Sequence, residues 1–330
     1  MLFPDFPPPQ PLVGIARLAA QSPLLEAKSR VEYFELEARS ILNKCSSSRM
    51  PFPFTINPYR GCEFGCRYCY ARYTHEFMGM DDGRLFEEKI YAKTRAAGLL
   101  RQELRRHPEG EIAIGTSTDP YQPAERRFGV TRGLLEVFAG ERGRVLSITT
   151  KSDLVARDAE LLARVARANV VHVNMTITTL DAALARQLEP RAPRPDLRLA
   201  AVEALASAGL SVGVFLNPIL PGLTDAIANL DAVAGAAKRS GAQYLGGGIL
   251  FLMPSAQKQF FPFLEAEFPA LAPRYRARFA HNPYLRGEYA RRIRERVARL
   301  RERHGLASAP REYTPEFASA GQQLALFECG

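Results

Sequence analysis

Six apolar, β-branched runs alternate with helical patterns along this chain, and that alternation limits its folds more than any other feature. The runs are Phe54–Asn57, Glu111–Thr116, Val145–Thr150, Val170–Thr178, Leu210–Asn217 and Gln243–Met253. Helical patterns fall between them near Glu87–Arg106, Thr131–Glu141, Arg157–Ala168, Arg194–Ala208 and Asp225–Ser240. Strands alternating with helices of this length predict βαβ units and a parallel sheet. Six such units, with polar residues at the strands' C-terminal ends, predict an α/β protein built as an open, partial TIM-type (β/α)6 barrel. Functional groups of such barrels collect at the C-terminal rim. A chain of 330 residues is long for one domain but ordinary for a barrel. Three parts are expected: an N-terminal extension (1–50), a core barrel (51–256) and a C-terminal aromatic and basic helical cap (257–330).

The extension opens on the proline-rich MLFPDFPPPQ, expected to wrap the surface, followed by a short helical pattern around Ser22–Leu36. In the cap, Leu285, Tyr289, Ile293, Val297 and Leu300 mark one apolar face of a final helix, Leu285–His304, which should dock on the barrel with its arginines outward. The net charge of +9 is concentrated there. Between Arg274 and Arg303 stand eleven arginines and three glutamates, a net of +8. Such a patch is an expected footprint for a polyanion, nucleic acid included, although arginines also keep a docked helix soluble. Phe260, Phe261, Phe263, Phe268, Tyr275 and Phe279 precede it, dense enough to pack a cap rather than stack bases.

The cluster that carries chemistry is Cys62, Cys66 and Cys69, a C-x3-C-x2-C spacing in the loop-like run that follows the first strand, hence on the rim. Three thiolates on one loop can hold three irons of a [4Fe–4S] cluster; with four cysteines more usual, one iron is left open. Gly61 and Gly65 let the backbone fold tightly around it, and Tyr68 can lay a ring beside whatever that iron binds. A structural zinc site is the rival, but zinc prefers a closed set of four ligands, the nearest histidine is His75, and no second CxxC pair exists. Five cysteines with three clustered do not make a disulfide framework, and a reducing cytoplasm is the expected compartment. Cys45 and Cys329 are read as inert. No stretch approaches the ~18 apolar residues of a membrane span, and the N-terminus lacks the layout of a signal peptide.

The spacing and Tyr68 resemble the radical S-adenosylmethionine (SAM) superfamily. Residues 54–253 resemble its core, and NPYRGCEFGCRYCYARYTHEF, STDPYQPAE and TTKSDL resemble more narrowly the spore photoproduct lyase-like branch, often labelled DNA repair photolyases. The resemblance implies a [4Fe–4S] cluster on Cys62, Cys66 and Cys69, with SAM chelating the open iron. One-electron reduction, by a donor of flavodoxin or ferredoxin type, would then cleave SAM to a 5′-deoxyadenosyl radical that attacks the substrate. By motif match, Tyr68, Ser117, Asp119, Lys151, Ser152 and Thr176 lie around SAM.

The residues themselves support a ligand at the rim. The second strand ends in Gly115-Thr-Ser-Thr-Asp-Pro-Tyr121, the third in Thr149-Thr150-Lys151-Ser152, the fourth in Thr176, Thr178 and Thr179, the fifth in Asn217-Pro218. A lysine suits a carboxylate, hydroxyls and an acid suit an amine, and Asn217 suits a ribose or base. Each is also an ordinary turn former or cap when taken singly. Lys151 carries most weight, since a lysine closing a buried strand needs a partner. His75-Glu76 is not a zinc-protease motif, because position 79 is glycine. Gly246-Gly247-Gly248 reads as close backbone packing and His172 as a hydrogen-bonded core residue.

One departure from the lyase pattern matters. The lyase returns a hydrogen atom from a cysteine at the end of its second strand, where this chain has Gly115–Thr116. Tyr70 and Tyr121 are the replacement relay candidates. A second function stays open: a catalytically silent iron–sulfur protein that senses or binds nucleic acid through its arginine-rich helix.

Overall fold

Strands arise where β-branched and aromatic residues gather, and the computed structural model, which describes residues 12–28, 30–45, 50–106 and 110–317, sorts them into two sheets. Three precede the barrel: β1 (Leu24–Lys28), β2 (Val31–Glu35) and the short β3 (Leu42–Lys44). Next come β4 (Phe54–Ile56), which leads into the cysteine loop, β5 (Tyr59–Arg60) and β6 (Lys89–Ala92). The remaining strands are β7 (Glu111–Ile114), β8 (Val145–Thr150), β9 (Val170–Thr176), β10 (Ser211–Ile219) and β11 (Tyr244–Ile249). The larger sheet runs β11-β10-β9-β8-β7-β4-β3. Its strands β4 and β7 to β11 pair in parallel, while β3 pairs antiparallel at the edge.

Helices cross between the parallel strands, at Ala96–Leu104, Val130–Phe138, Ala159–Ala166, Pro195–Ser207 and Ile227–Arg239. The six parallel strands and their crossovers form the expected α/β architecture, consistent with a partial TIM barrel. Val171 to Thr176 of β9 and Ser211 to Val214 of β10 are buried without a break, as expected of parallel strands covered on both faces. Tyr244 lies over Gly213, where an added Cβ would meet its ring at 2.0 Å.

Two expectations are overturned. Ser22–Leu36 is not a helix: β1 and β2 pair antiparallel there, and β2 joins β6 and β5 in a second, four-stranded sheet. Val31 and Tyr33 are buried at period two, and Phe34 stacks on Tyr91 of β6, so strand contacts outside the segment decide its form. For the same reason the helix expected over Glu87–Arg106 begins only at Ala96, after β6. The proline-rich stretch 1–10 and Cys329 lie outside the described residues.

Helix Pro254–Glu267 and helix Ala272–Phe279 carry the cap's aromatics; Phe260, Tyr275 and Phe279 are buried in one apolar cluster with Cys62, Cys66 and Tyr68. The last helix, Gly287–His304, buries Ile293, Val297 and Leu300. Val297 sits 3.0 Å from where a Cβ on Gly247 would be, which explains a glycine in β11. His172 is buried, with Nδ1 3.0 Å from the Ser211 hydroxyl. Among the described residues no helix is long and apolar enough to cross a membrane.

Candidate active site

The cysteine loop is shaped by what its glycines permit. Gly61 has φ +81, and a Cβ there would lie 2.8 Å from the carbonyl oxygens of Phe86 and Lys89; at Gly65, with φ +65, it would lie 2.2 Å from Glu87 Oε2. Rim residues clamp the loop from the barrel side. Thr118 Oγ1 (2.6 Å) and Gln122 Nε2 (3.0 Å) donate to the Gly61 carbonyl, and Glu63 N donates to Gln122 Oε1 (3.0 Å). On the other side Arg72, 2% exposed, donates to the Cys66 carbonyl (3.0 Å) and to Glu87 (3.3 Å), which also pairs with Arg191 (2.7 Å). The Glu63 carboxylate accepts from Lys28 (2.6 Å) and Tyr33 (2.9 Å), so the small sheet also grips the loop.

Cys62 and Cys66 are buried, Cys69 is half-buried, and all three are free thiols. Burial pushes each thiol up, Cys66 to about 12, and their charges act on one another, which places them within electrostatic reach. Without a metal they are therefore protonated at neutral pH; ligation requires the thiolates.

The rim residues divide into three groups. Lys151 stands behind the loop with its Nζ 5.8 Å from the Tyr68 ring. Burial alone would lower its ammonium, but the neighbouring Cys66 and Glu189 charges outweigh that and hold it above the usual lysine value. Tyr68 donates its hydroxyl to Glu189, and Glu189 pairs with Arg198 at 2.5 Å, both side chains being buried. Arg198 in turn donates to the Pro193 (2.8 Å) and Thr176 (3.0 Å) carbonyls, tying the end of β9 into the same network.

Asp119 is spent on architecture. Its oxygens accept from the Thr150 hydroxyl (2.6 Å) and from the backbone N–H groups of Lys151 (2.7 Å) and Tyr121 (2.9 Å), locking the ends of β7 and β8 together. Ser152 caps the turn that follows, accepting from Leu154 N at 3.3 Å. Ser117 donates its backbone N–H to Asn57 Oδ1 (2.7 Å). Asn217 differs: its Oδ1 is buried without a hydrogen-bond partner among the described residues, at the end of β10, beside Gly248.

The two tyrosines part company. Tyr70 follows the last cysteine and donates its hydroxyl to the Thr116 carbonyl at the end of β7. Tyr121 is packed in the barrel core, where the charges acting on it are those of Asp158, Glu125 and Arg157 rather than of the cysteines. At Gly115, one of the two positions that match the lyase's thiol, a side chain is excluded: φ is +90, and a Cβ there would lie 2.5 Å from Pro120 and 2.7 Å from the Thr149 carbonyl oxygen.

Sequence reading missed the buried pairs Glu189–Arg198 and Glu87–Arg72. Their only linear signal is a charge beside an apolar residue, Leu188-Glu189 and Phe86-Glu87, which surface helices show as often.

The donor set fits the implied groups. Three free thiols share one loop, Lys151 supplies a cation behind them, and the buried Asn217 oxygen lacks a donor that a ribose hydroxyl or amine can provide. Among the described residues no three His, Cys, Asp or Glu side chains converge as a single ion requires. A [4Fe–4S] core instead takes one thiolate per iron on a wider body.

A family model described as the radical SAM superfamily matches residues 56–231. An uncharacterized protein of Mycobacterium tuberculosis is 38% identical over 293 residues, 88% of this chain and 86% of that protein. Another, from Methanocaldococcus jannaschii, is 28% identical over 242 residues, 73% of this chain and 85% of its own. Among solved structures, spore photoproduct lyase with bound AdoMet and dinucleoside spore photoproduct has a TM-score of 0.59 at 14% identity, covering 82% of this chain and 78% of that one. That last likeness speaks to the fold.

Proposed function

Because the chain belongs to the radical SAM superfamily, we propose that it is a reducing-compartment enzyme that carries a [4Fe–4S] cluster on Cys62, Cys66 and Cys69 and acts on nucleic acid. When bound there and reduced by one electron, the cluster and SAM supply carbon–sulfur cleavage and a 5′-deoxyadenosyl radical. The observation that carries this reading is the set of three free thiols on one clamped loop, with Lys151 and the unpartnered Asn217 oxygen at the neighbouring strand ends.

The protein's share is placement and shielding. Lys151 pairs with the SAM carboxylate, with Glu189 and Arg198 fixing Tyr68 beside it. Asn217 accepts from the ribose, while Ser117, Ser152 and Thr176 present polar groups around the amino-acid end. Asp119 acts through Lys151, whose backbone it holds, and so is a positioning residue. Phe64, Phe86 and Phe260 keep the thiols dry. Tyr70, hydrogen-bonded at the end of β7, is the relay this reading retains in place of the lyase's thiol. The electron comes from a small donor of flavodoxin or ferredoxin type. The substrate class rests on the arginine-rich cap.

The test is anaerobic reconstitution with iron and sulfide, then dithionite and SAM, with 5′-deoxyadenosine measured by chromatography. Product should form and vanish in Cys66→Ala. A fully loaded protein that makes none, or a Cys66→Ala variant as active as the wild type, defeats the proposal.

A further inference from the structure

Among the described residues, two of the cavities measure about 260 Å³ each, and their charges differ. One, between helices Ala96–Leu104 and Val130–Phe138, sets Arg101 and Arg105 against Glu136 and Glu141. The other lies between helix Ala272–Phe279, the first half of Gly287–His304 and the Pro221–Asp225 turn after β10. It gathers Arg274, Arg278, Arg292 and Arg296 around one carboxylate, Asp225. That carboxylate is already engaged, accepting from Gly222 N (2.7 Å) and the Tyr289 hydroxyl (2.9 Å).

Among the described residues no carboxylate lies within 4.0 Å of Arg274, Arg278 or Arg292, nor of Arg286, Arg294 or Arg299 nearby; the helix's ion pairs are Arg291–Glu295 and those of Arg303 and His304 with Asp231. Four guanidiniums around a cavity repel one another, and the arrangement gains energy when an anion enters. The β10 turn puts this cavity at the rim end of the barrel. Its floor, Tyr275 and Leu271, belongs to the apolar cluster that also holds Cys62, Cys66 and Tyr68.

Beside it runs a ladder of rings. Tyr70, next to Cys69, lies 4.8 Å from Phe251, and Phe251 stacks on Tyr284 at 5.4 Å with planes 17° apart. Tyr284 is 37% exposed and stands five residues before Tyr289 of the arginine cavity, so at most about 17 Å of chain separates them.

We propose that the arginine cavity is a phosphodiester site for a single-stranded polynucleotide, and that it sets an adjoining base on the Tyr284–Phe251 stack that leads to the cysteine loop. Arginines track the backbone and an exposed ring takes an unstacked base, the combination by which single strands are held without sequence reading. The row of further arginines, Arg286, Arg294 and Arg299, with no carboxylate within 4.0 Å among the described residues, favours a polymer over a lone phosphate. This deepens the substrate class proposed above but does not need the cluster.

The test uses the full chain without SAM, a short fluorescein-labelled oligothymidylate, and anisotropy across a sodium chloride series. Arg278→Gln with Arg292→Gln should weaken binding at least about tenfold at low salt and flatten the salt slope by about 1 to 2. Lysines at both positions should restore the slope. Tyr284→Ala should weaken binding about tenfold with the slope kept. Arg101→Gln with Arg105→Gln should change neither. Wild-type binding by the double variant, an equal loss in the control pair, or equal competition by inorganic phosphate or by anionic phospholipid vesicles overturns the site. A wild-type chain that forms 5′-deoxyadenosine but does not bind the oligothymidylate at this site would sink this proposal and the substrate class above, leaving SAM cleavage standing; binding at the site by a fully loaded chain that forms none would sink only the catalytic reading.

Discussion

Charges behind the cysteine loop and charges on the C-terminal cap are handled in opposite ways. Behind the loop, Glu189 meets Arg198 and Glu87 meets Arg72, with side chains between 0% and 10% exposed. On the cap, Arg274, Arg278 and Arg292 face solvent around a cavity whose one lining carboxylate, Asp225, makes no ion pair within 4.0 Å with any of them. Buried charge must be paired where it stands, because an uncompensated ion in a low-dielectric interior is expensive. Exposed charge stays hydrated and can wait for a partner from outside. One set therefore builds the molecule, and the other is available for binding.

The comparison breaks first at Arg198. Replacing it with methionine leaves Glu189 buried with the Tyr68 and Thr178 hydroxyls on its other oxygen and Lys151 as its remaining cationic neighbour, a change worth about 3 kcal/mol of stability. Urea unfolding at constant m-value would measure it, and Glu189→Gln added to Arg198→Met should recover much of the loss. A single variant within about 1 kcal/mol of wild type would show that this pair is not structural.

Lys93 sharpens the contrast because it is buried at 6% exposure and, among the described residues, no carboxylate lies within 4.0 Å of it. Burial, reinforced by Arg60 and partly opposed by Glu103, lowers its ammonium from 10.5 to about 7. In the unfolded chain the proton is held to about 10.5, so above pH 7 the unfolded state binds more protons than the folded one. Stability then rises with pH through that window, by up to about 1.4 kcal/mol per unit. Lys93→Met removes the term, so the wild-type and variant urea curves should converge on raising the pH from 7 to 9. A constant offset between them would exclude it.

The two regions were not equally legible. The cysteine loop stood out because the ligation proposed for it would fix residue type and spacing within one short segment, and Gly61 and Gly65 take the positive φ of its tight turns. The parallel strands could be read because burial on both faces leaves continuous runs such as Val170–Thr176. The hairpin over Leu24–Glu35 could not, because its form depends on pairing with β6, more than fifty residues on. The arginines were visible as a charge run, but their gathering around one cavity depends on two helices and the β10 turn meeting. Asp119 illustrates the same limit from within the site. Its residue type fits an amine, yet three hydrogen bonds to Thr150, Lys151 and Tyr121 make it a brace between strands.

The smallest expected effect is the most discriminating. If the cap arginines are unpaired because they serve binding, Arg278→Gln should shift the unfolding free energy by no more than about 0.5 kcal/mol, as exposed substitutions do. Arg278 lies over the face of Tyr289, 5.2 Å away, a partly exposed cation–π pair worth about 0.5–1 kcal/mol at most. Relief of repulsion from Arg274 and Arg292 opposes that loss, so the net change is near zero and its sign depends on salt. At low ionic strength the repulsion is least screened and the variant should gain relative to wild type; at high salt it should fall slightly behind. Paired urea titrations at two salt concentrations would resolve the crossing. A loss of about 2 kcal/mol at both would mean that Arg278 supports the cap, and the division between structural and available charge would fail there.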